Sequence, residues 1–374
     1  MSVPAWLGRR VEEVTTGDAP SLAGRAARLL LAGLAGFYGV GVGLRNAAYD
    51  RGLLPVRRLP CRVICVGNLT AGGTGKTPTV VWLAGVLSGA GRRVAVVLRG
   101  YGGKAKTATR VVSDDRGLRE DWRAVGDEAV LLATRLPGIP VVIGADRHAA
   151  GLAALAAFQP EVIVLDDGFQ HRRLHRDVDL MLVDATDPFG GGWLLPRGRL
   201  RERVAGVRRA HAILVTRSNE AGGLEGLREQ LGVLAPGVPV ACAVHKPSAL
   251  LELPYGKPTP LEGLRGSRIL AVSGIANPRS FRRTLEAMGM DVADHLGYPD
   301  HHPYGAVERA DIGRSARQKG AQAIVTTEKD AVRFGTSLPA GLPVYALRID
   351  LVVVAGGEAI GRIFGLERDR QDRG

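Results

Sequence analysis

A glycine-rich loop followed by lysine and threonine has the clearest chemical meaning in this chain. It follows the apolar run Val63–Val66 and consists of Thr70, Ala71, Gly72, Gly73, Thr74, Gly75, Lys76 and Thr77. Glycines let backbone N–H groups converge on phosphate oxygens, and the N-terminus of a following helix favours anions. We expect Lys76 to reach the β- and γ-phosphates of ATP, and the Thr77 hydroxyl to hold Mg²⁺. Pro78 suits the first turn of that helix.

The loop departs from the general phosphate-loop pattern at one position, where Thr70 replaces the first glycine. Ala71 stands where a partitioning-type ATPase would carry a second lysine. The segment Thr327–Asp330 lacks the spacer between lysine and aspartate that a guanine-binding motif needs. A kinase, a soluble ligase that activates a carboxylate, and a non-enzymatic nucleotide-switched adaptor remain as alternatives.

A second acidic motif follows the apolar run Val162–Leu165. Asp166 and Asp167 end this run in the Walker B manner, which would place a carboxylate beside the phosphate loop to bind Mg²⁺ directly or through water. The alternative is that the two aspartates only cap a turn. Gln170 and His171, just beyond, are candidates for contact with nucleotide or substrate.

Two further polar groups could take part in proton transfer. Asp127, followed by Glu128, is either the N-cap of a helix or a base that accepts the proton of an attacking hydroxyl. His301 follows Asp300, and a histidine beside a carboxylate can orient it or tune its pKa. Neither site has ligands at zinc spacing.

The elements that would position these residues alternate between apolar runs and helical stretches. Most of the runs are continuous, as in buried parallel strands: Val63–Val66, Val94–Leu98, Val141–Ile143, Val162–Leu165, Leu180–Val183 and Ile213–Thr216. A second set of strands is predicted at Val238–Val244, Ile269–Val272, Ile324–Thr327 and Val344–Leu347. This predicts an α/β fold of the P-loop NTPase type, with a doubly wound parallel sheet and a second, smaller α/β domain. We expect an N-terminal helical segment over 1–60, a kinase core over 61–225 and a C-terminal domain over 226–374.

Charge and hydropathy point to an anionic, membrane-bound partner. The net charge is +13, and the uncharged run Leu29–Leu44 is flanked by arginines. The run is shorter than the roughly 20 residues of a membrane span, so it either lies in the membrane interface or forms a buried helix packed on the domain, and we expect membrane attachment. Glu12, Glu13 and Asp18 interrupt the first thirty residues, which therefore do not look like a secretory signal. No basic block with interleaved aromatics favours nucleic acid. Three cysteines cannot form a disulfide framework and indicate a reducing compartment.

Taken together, these motifs resemble the tetraacyldisaccharide 4'-kinase (lipid A 4'-kinase) family over almost the whole chain. The segments that carry the resemblance are Val66–Pro78, Arg99–Tyr101, Gly126–Glu128, Asp146–Arg147, Leu165–His171, Arg201–Glu202, Asp300–His301 and Thr326–Asp330. The string Asp-Asp-Gly-Phe-Gln-His is the most specific of them.

The resemblance implies a monomeric enzyme at the cytoplasmic face of the bacterial inner membrane. It would use MgATP to phosphorylate the 4'-hydroxyl of a tetraacylated glucosamine disaccharide 1-phosphate, giving lipid IVA. Matched residue by residue, Lys76, Asp127, His301 and Arg201 would be catalytic, and Asp166, Asp167 and Glu202 would join Thr77 at the metal. Tyr101, Glu128, Arg147, Gln170 and His171 would line the substrate site. The alignment does not fix separate roles for Arg197, Arg199 and Arg201.

Overall fold

The computed structural model describes residues 22–101, 109–339 and 341–366. The helices are α1 (Leu22–Asp50), α2 (Lys76–Gly89), α3 (Trp122–Val125), α4 (Asp127–Arg135), α5 (Arg147–Phe158), α6 (Leu224–Leu234), α7 (Pro278–Ala287), α8 (Ala306–Gln318), α9 (Glu328–Phe334) and α10 (Gly357–Phe364). Short 3₁₀ helices cover Gly190–Gly192, Val204–Arg209 and Leu261–Leu264. The expectation that the first thirty residues are not a secretory signal rests on Glu12, Glu13 and Asp18, which lie outside the described ranges.

The strands follow in the same chain order. They are β1 (Arg62–Asn68), β2 (Val94–Leu98), β3 (Arg110–Asp114), β4 (Gly117–Leu118), β5 (Val141–Ile143), β6 (Val162–Asp166), β7 (Val178–Asp184), β8 (Ala212–Thr216), β9 (Val240–Glu252), β10 (Lys257–Thr259), β11 (Arg268–Ser273), β12 (Asp291–Gly297), β13 (Ala323–Thr327) and β14 (Val344–Ala355).

The chain forms two compact units, each built from separate stretches of sequence. The first unit comprises 1–96, 155–244 and 353–374, and the second comprises 97–154 and 245–352. The predicted segments were contiguous, whereas residues 97–154 make most of their contacts with the second unit. Sequence order could not reveal this, because the chain leaves the first unit within β2 and returns to it within α5.

The first unit is organised around β1, whose buried residues are almost continuously apolar. β1 pairs in parallel with β6 on one side and with β7 on the other, and β8 and β9 extend the sheet in parallel beyond β7. Val66 near the end of β1 lies opposite Asp166 at the end of β6. The loop that follows β1 and the acidic pair that follows β6 are therefore brought to the same edge of the sheet.

The second unit contains a parallel arrangement of its own, in the order β12-β11-β13-β14. β3 pairs antiparallel with β5 and with β4, and β9 forms an antiparallel hairpin with β10. One core cluster includes Leu250, Phe281, Leu285 and Val325, and another includes Tyr304, Ile312 and Phe334. Helix α9 begins directly after β13, with Thr327 as its N-cap.

The predicted buried strands and the parallel α/β class are confirmed, because continuous apolar runs identify strands that are covered on both faces. Four strands lacked that signal and were missed. β12 contains Asp291, Asp294 and His295 and is half-exposed over most of its length at one end of the strand order. β3, β4 and β10 are short and partly or wholly exposed.

Helix α1 extends well beyond the apolar run that suggested it. It spans 29 residues, and one face packs on the first unit through Ala35, Gly39 and Tyr49. The opposite face exposes large apolar side chains at helical spacing: Leu29, Leu30, Leu34, Phe37, Val40 and Leu44. By length and composition, Gly24–Asp50 is the one helix in the described ranges that is able to cross a membrane.

Candidate active site

The phosphate loop connects β1 to α2 as the sequence predicts. Gly75 precedes the helix with φ of 85°, a left-handed conformation that favours glycine. The Lys76 ammonium lies 3.4 Å from Asn68 Oδ1 and 3.5 Å from the Gly72 carbonyl oxygen. The lysine therefore folds back over its own loop, with its charge on the side where phosphates would bind.

Two residues that the sequence analysis missed support this loop within the first unit. The Thr216 hydroxyl, at the end of β8, donates to the Thr74 carbonyl at 3.0 Å. Arg217 donates to the Gly73 carbonyl at 3.2 Å and forms an ion pair with Asp184. Thr216 ends the apolar strand β8 and Arg217 follows it, at the sheet edge where β1 and β6 also end. This position in the sequence was the signal that could have identified them as site residues.

The Thr74 side chain is the unusual polar group of the loop. Its hydroxyl oxygen is buried and has no hydrogen-bond partner among the described residues. A buried hydroxyl without a partner costs roughly 1–3 kcal/mol. A ligand phosphate that accepts the hydrogen of this hydroxyl would remove the cost.

The acidic pair after β6 divides into two environments. Asp166 ends the strand and is buried, while Asp167 has φ of 49° and turns out of the strand. Asp167 Oδ1 lies 3.9 Å from the Lys76 ammonium, and both of its carboxylate oxygens accept from Arg201 Nη1 at 2.7 and 2.9 Å. The predicted proximity of the second acidic motif to the lysine is thus observed within one unit.

Arg201 reaches Asp167 because its segment runs alongside the phosphate loop. The Ala71 N–H donates to the Arg199 carbonyl at 2.6 Å, and the Arg201 N–H donates to the Leu69 carbonyl at 2.7 Å. The Arg199 side chain donates to the Ala71 carbonyl at 2.9 Å and pairs with Asp187 at 2.8 Å. The three arginines therefore have different partners: Arg201 pairs with Asp167, Arg199 contacts the phosphate loop, and Arg197 stacks over the ring of Trp193.

Protein side chains surround the carboxylate of Glu202, which the sequence analysis predicted to bind Mg²⁺. Its buried carboxylate accepts from Arg209 Nη2 at 2.7 and 2.9 Å, from Gln170 Nε2 at 3.0 Å and from Asn46 Nδ2 at 3.0 Å. Both oxygens are therefore engaged by protein donors. Gln170 also donates to the Asn68 carbonyl at 2.9 Å, so Glu202 holds the predicted substrate residue Gln170 against the end of β1.

Helix α1 is hydrogen-bonded to these same segments. The Tyr38 hydroxyl donates to the Arg201 carbonyl at 2.8 Å, and Arg45 donates to the Gln170 carbonyl at 2.8 Å. Together with Asn46, these contacts join the inner face of α1 to the residues that surround Asp167. The helix is thus part of the first unit's active-site scaffold as well as a carrier of exposed apolar side chains.

Asp127 and His301 come together in the second unit. His301 Nδ1 lies 3.0 Å from each of the two Asp127 carboxylate oxygens. The N-cap of α4 is Gly126, with φ of 97°, so Asp127 is the first helical residue and the alternative N-cap interpretation is wrong. A Cβ on Gly126 would also lie 2.1 Å from the Tyr101 carbonyl oxygen, which explains the glycine at this close approach.

The charges around this pair shift both of its pKa values. Burial opposes ionisation of Asp127, but the hydrogen bond from His301 and the charges of Lys329, His301 and Arg333 lower the pKa of its carboxyl below the ordinary value. The hydrogen bond to Asp127 raises the pKa of His301, while burial and Lys329 act against that rise. Asp127 is therefore ionised at neutral pH and suited to accept a proton.

Behind Asp127 lies a buried network that the sequence analysis did not identify. Arg333 Nε is 3.4 Å from Asp127 Oδ2, and Arg333 Nη2 donates to Asp330 Oδ1 at 2.7 Å and to the Gly274 carbonyl at 3.0 Å. Asp330 Oδ1 also accepts from the Tyr304 hydroxyl at 2.8 Å. The i, i+3 spacing of Asp330 and Arg333 on α9 was the only sequence signal of this pair.

The other predicted substrate residues have varied environments. Tyr101 is 49% exposed and stacks with Arg99, whose guanidinium carbon lies 4.5 Å from the ring centroid. Arg147 is buried and donates to the Ala145 carbonyl at 3.0 Å. Glu128 accepts from Lys329 at 3.2 Å, and the His171 N–H donates to the Gly168 carbonyl at 2.8 Å. Of these side chains, Tyr101 is the most accessible to a ligand.

The donor set of the first unit fits Mg²⁺. This ion binds proteins through one or two carboxylates and completes its shell with water and substrate phosphates. Thr77 offers a hydroxyl beside Lys76, and Asp166 and Asp167 offer carboxylates at the adjacent strand end. The described residues contain no cluster of three or more His, Cys, Asp or Glu side chains that would form an all-protein metal cage.

Comparisons with known proteins agree with this arrangement. Residues 27–363 match the family described as LpxK: Tetraacyldisaccharide-1-P 4'-kinase. The tetraacyldisaccharide 4'-kinase of Syntrophus aciditrophicus is 45% identical, covering 87% of this chain and 89% of its own, and that of Geobacter sulfurreducens is 44% identical, covering 88% and 91%. A crystal structure described as the apo form of LpxK from Aquifex aeolicus in complex with ATP is 32% identical with a TM-score of 0.75, covering 91% of this chain and 99% of that one. The chain belongs to the tetraacyldisaccharide-1-P 4'-kinase family.

Proposed function

We propose that this protein is an ATP-dependent kinase that phosphorylates the 4'-hydroxyl of a tetraacylated glucosamine disaccharide 1-phosphate, giving lipid IVA in lipid A synthesis. Family membership supports the reaction. The observation that carries it in the chain itself is the meeting of Lys76, Asp167 and Arg201 at the end of β1 and β6. Phosphoryl transfer depends mainly on positioning and on charge neutralisation, and this cluster offers both.

In this proposal the loop Thr70–Thr77 binds the triphosphate of ATP. Backbone N–H groups of the loop and the Thr74 hydroxyl donate to phosphate oxygens, and Lys76 supplies a positive charge. Mg²⁺, held by Thr77 with Asp166 and Asp167, would neutralise further phosphate charge when bound. Arg201 orients the Asp167 carboxylate and adds a second cation beside Lys76.

Asp127 is the proposed general base. Its pKa is lowered, so the carboxylate is ionised and can accept the proton of the attacking sugar hydroxyl. His301 holds and orients this carboxylate through Nδ1 and favours its ionised form. The proposal requires that the sugar hydroxyl reach Asp127 during the reaction.

The remaining predicted site residues take supporting roles in the proposal. Tyr101 is exposed and suited to stack against a sugar ring, and Gln170 and His171 lie on the turn beyond Asp167. Glu202 accepts from Gln170 and holds it in place, and its assignment to Mg²⁺ stays a prediction. Arg147 and Glu128 shape their loops through the backbone and through Lys329.

The substrate's acyl chains favour a site beside the bilayer, and α1 offers the surface for it. Its outer face exposes Leu34, Phe37, Val40 and Leu44, and extraction of acyl chains from lipid costs about 0.8 kcal/mol per CH₂. Arginines flank the helix, and the net charge of +13 suits anionic lipid. We place the protein on the cytoplasmic face of the inner membrane, as a peripheral or monotopic monomer.

The membrane contact is best tested by point substitutions. Deleting α1 would also remove the Tyr38, Arg45 and Asn46 contacts to the active-site segments. Phe37→Glu should weaken binding to anionic vesicles in a flotation assay, because Phe37 is 80% exposed on the outer face. Val233→Glu, at a 77% exposed position on α6, is the matched control and should leave vesicle binding unchanged. If Phe37→Glu bound the vesicles as well as Val233→Glu does, the membrane contact would lie elsewhere on the protein.

The activity is tested by incubating the protein with γ-labelled ATP and a total glycolipid extract in vesicles. Label should appear in the lipid fraction, and Lys76→Ala should abolish it. A carboxylate-activating ligase would instead release labelled phosphate only when a soluble acid is added. That outcome, with no labelled lipid, would rule out the proposal.

A further inference from the structure

Helix α9 carries a lysine, Lys329, that contacts His301 at Nε2, the ring nitrogen that does not face Asp127. Lys329 Nζ lies 3.3 Å from His301 Nε2, 3.2 Å from Asp300 Oδ1 and 3.2 Å from Glu128 Oε1. Its side chain is 18% exposed. The proposed chemistry does not use Lys329, and the motif that contains it, Thr326–Asp330, has no role so far.

The chemistry of these contacts decides which nitrogen of His301 carries the proton. A lysine ammonium donates hydrogen bonds and cannot accept them. His301 Nε2 must therefore accept from Lys329, which leaves the single proton of a neutral ring on Nδ1. Nδ1 faces Asp127, whose ionised carboxylate accepts only, so one tautomer satisfies both contacts.

Lys329 is held in place to do this. The carboxylates of Glu128 and Asp300 flank its ammonium, and although burial acts the other way, these charges raise the pKa of Lys329 above its ordinary value. The lysine therefore stays charged. A second proton on His301 would place Nε2–H against that charge, which disfavours the imidazolium.

We propose that Lys329 is a positioning residue for the proposed base: it fixes neutral His301 as the Nδ1–H tautomer, so that Nδ1–H holds and orients the Asp127 carboxylate that accepts the hydroxyl proton. This inference rests on the proposed function, because it assigns the working protonation state of the same pair. Arg333 holds Asp127 from behind, while Lys329 sets the state of the histidine in front.

Every charged group near His301 bears on the expected pH dependence. The hydrogen bond to Asp127 favours the imidazolium, as does Asp300, whereas Lys329 opposes it; Glu128 acts through Lys329 and Arg333 through Asp127. Without the Lys329 charge, the carboxylates of Asp127 and Asp300 raise the pKa of His301 further. The acid limb of the kcat profile should then move to higher pH by about one unit, as for a neighbouring charge in a partly solvated site.

The first experiment measures kcat against pH for full-length wild type, Lys329→Met and Lys329→Arg, with γ-labelled ATP and glycolipid in vesicles. The kcat of Lys329→Met should fall about tenfold below that of wild type at pH values below its shifted acid limb and should return to the wild-type value at higher pH. Lys329→Arg keeps the charge and should keep the limb near that of wild type. Lys319→Met, which removes a half-exposed lysine paired with Asp294, is the matched control. A uniform loss in Lys329→Met at all pH values, with an unmoved limb, would overturn the proposal.

The second experiment reads the tautomer directly and does not depend on turnover. Histidine ¹⁵N NMR of the labelled protein, with His301→Gln to identify the signal, should show an unprotonated Nε2 at pH values above the folded-state pKa of His301. A protonated Nε2 there would contradict the assignment even if the kinase is active. If wild type makes no labelled lipid at any pH, the proposed function fails, while the NMR result still tests the Lys329–His301 contact.

Discussion

Arg333 provides the sharpest test of how the second unit holds Asp127. Its side chain is fully buried, and so is its partner Asp330. In Arg333→Met, Asp330 keeps only neutral donors, namely the Gly274 N–H, the Tyr304 hydroxyl and the Thr327 hydroxyl. The Gly274 carbonyl loses the guanidinium donor as well.

Removing one partner of a buried ion pair costs about 3–5 kcal/mol, since the other charge remains buried without compensation. Total stabilities are about 5–15 kcal/mol, so the loss should be a large fraction of the whole. Equilibrium urea unfolding followed by circular dichroism measures it. Hydrogen exchange of the α4 peptide then shows whether the loss reaches Asp127.

The matched variant is the double substitution Asp330→Asn with Arg333→Met, which removes both charges. It should recover most of the stability lost in the single variant, because replacing a whole buried pair by uncharged groups is often close to neutral. A loss below about 1 kcal/mol in Arg333→Met, within the range of an ordinary substitution, would refute the reasoning. So would a double variant no more stable than the single one.

Three further predictions concern single residues, two in the first unit and one in the second. Thr74→Val should raise the free energy of unfolding of the unliganded protein by roughly 1–3 kcal/mol and raise the KM for ATP about tenfold, because the buried hydroxyl has no partner among the described residues; an unchanged KM would mean that it does not meet phosphate. Arg201→Lys keeps the charge but loses the two contacts of one guanidinium nitrogen with Asp167, so kcat should fall by about tenfold or more while KM for lipid holds; an equal loss in both would argue for a binding role. The raised pKa of His301 means that its stabilising contact is complete below about pH 6.5 and is lost as pH rises through the folded-state pKa. The stability difference between wild type and His301→Gln should therefore shrink at alkaline pH, and a difference that grows there would reverse the sign of the argument.

Much of the fold could be predicted from the sequence because buried parallel strands consist of continuous apolar runs. The same holds for the phosphate loop, whose glycines and Lys76 are local in sequence. Asp166 and Asp167 could be placed beside that loop because parallel strands end at a common edge, and the register of Val66 opposite Asp166 bears this out.

The supporting contacts could not be predicted, because they join residues far apart in the chain. Asn46 and Glu202 are 156 positions apart, and His301 and Asp127 are 174 apart. The donors to Glu202, Arg209 and Gln170, could likewise be found only from the structure. The assignment of residues 97–154 to the second unit has the same origin, since long-range contacts alone define it.

The most direct test of the central claim is to locate the transferred phosphate. Purified protein, ATP, Mg²⁺ and a defined tetraacylated disaccharide 1-phosphate are incubated, and the lipid product is fragmented by tandem mass spectrometry. The account predicts one added phosphate on the 4'-oxygen of the distal sugar with wild type, and none with Asp127→Asn or Lys76→Ala. A product phosphorylated elsewhere, or ATP hydrolysis without any lipid product, would contradict it.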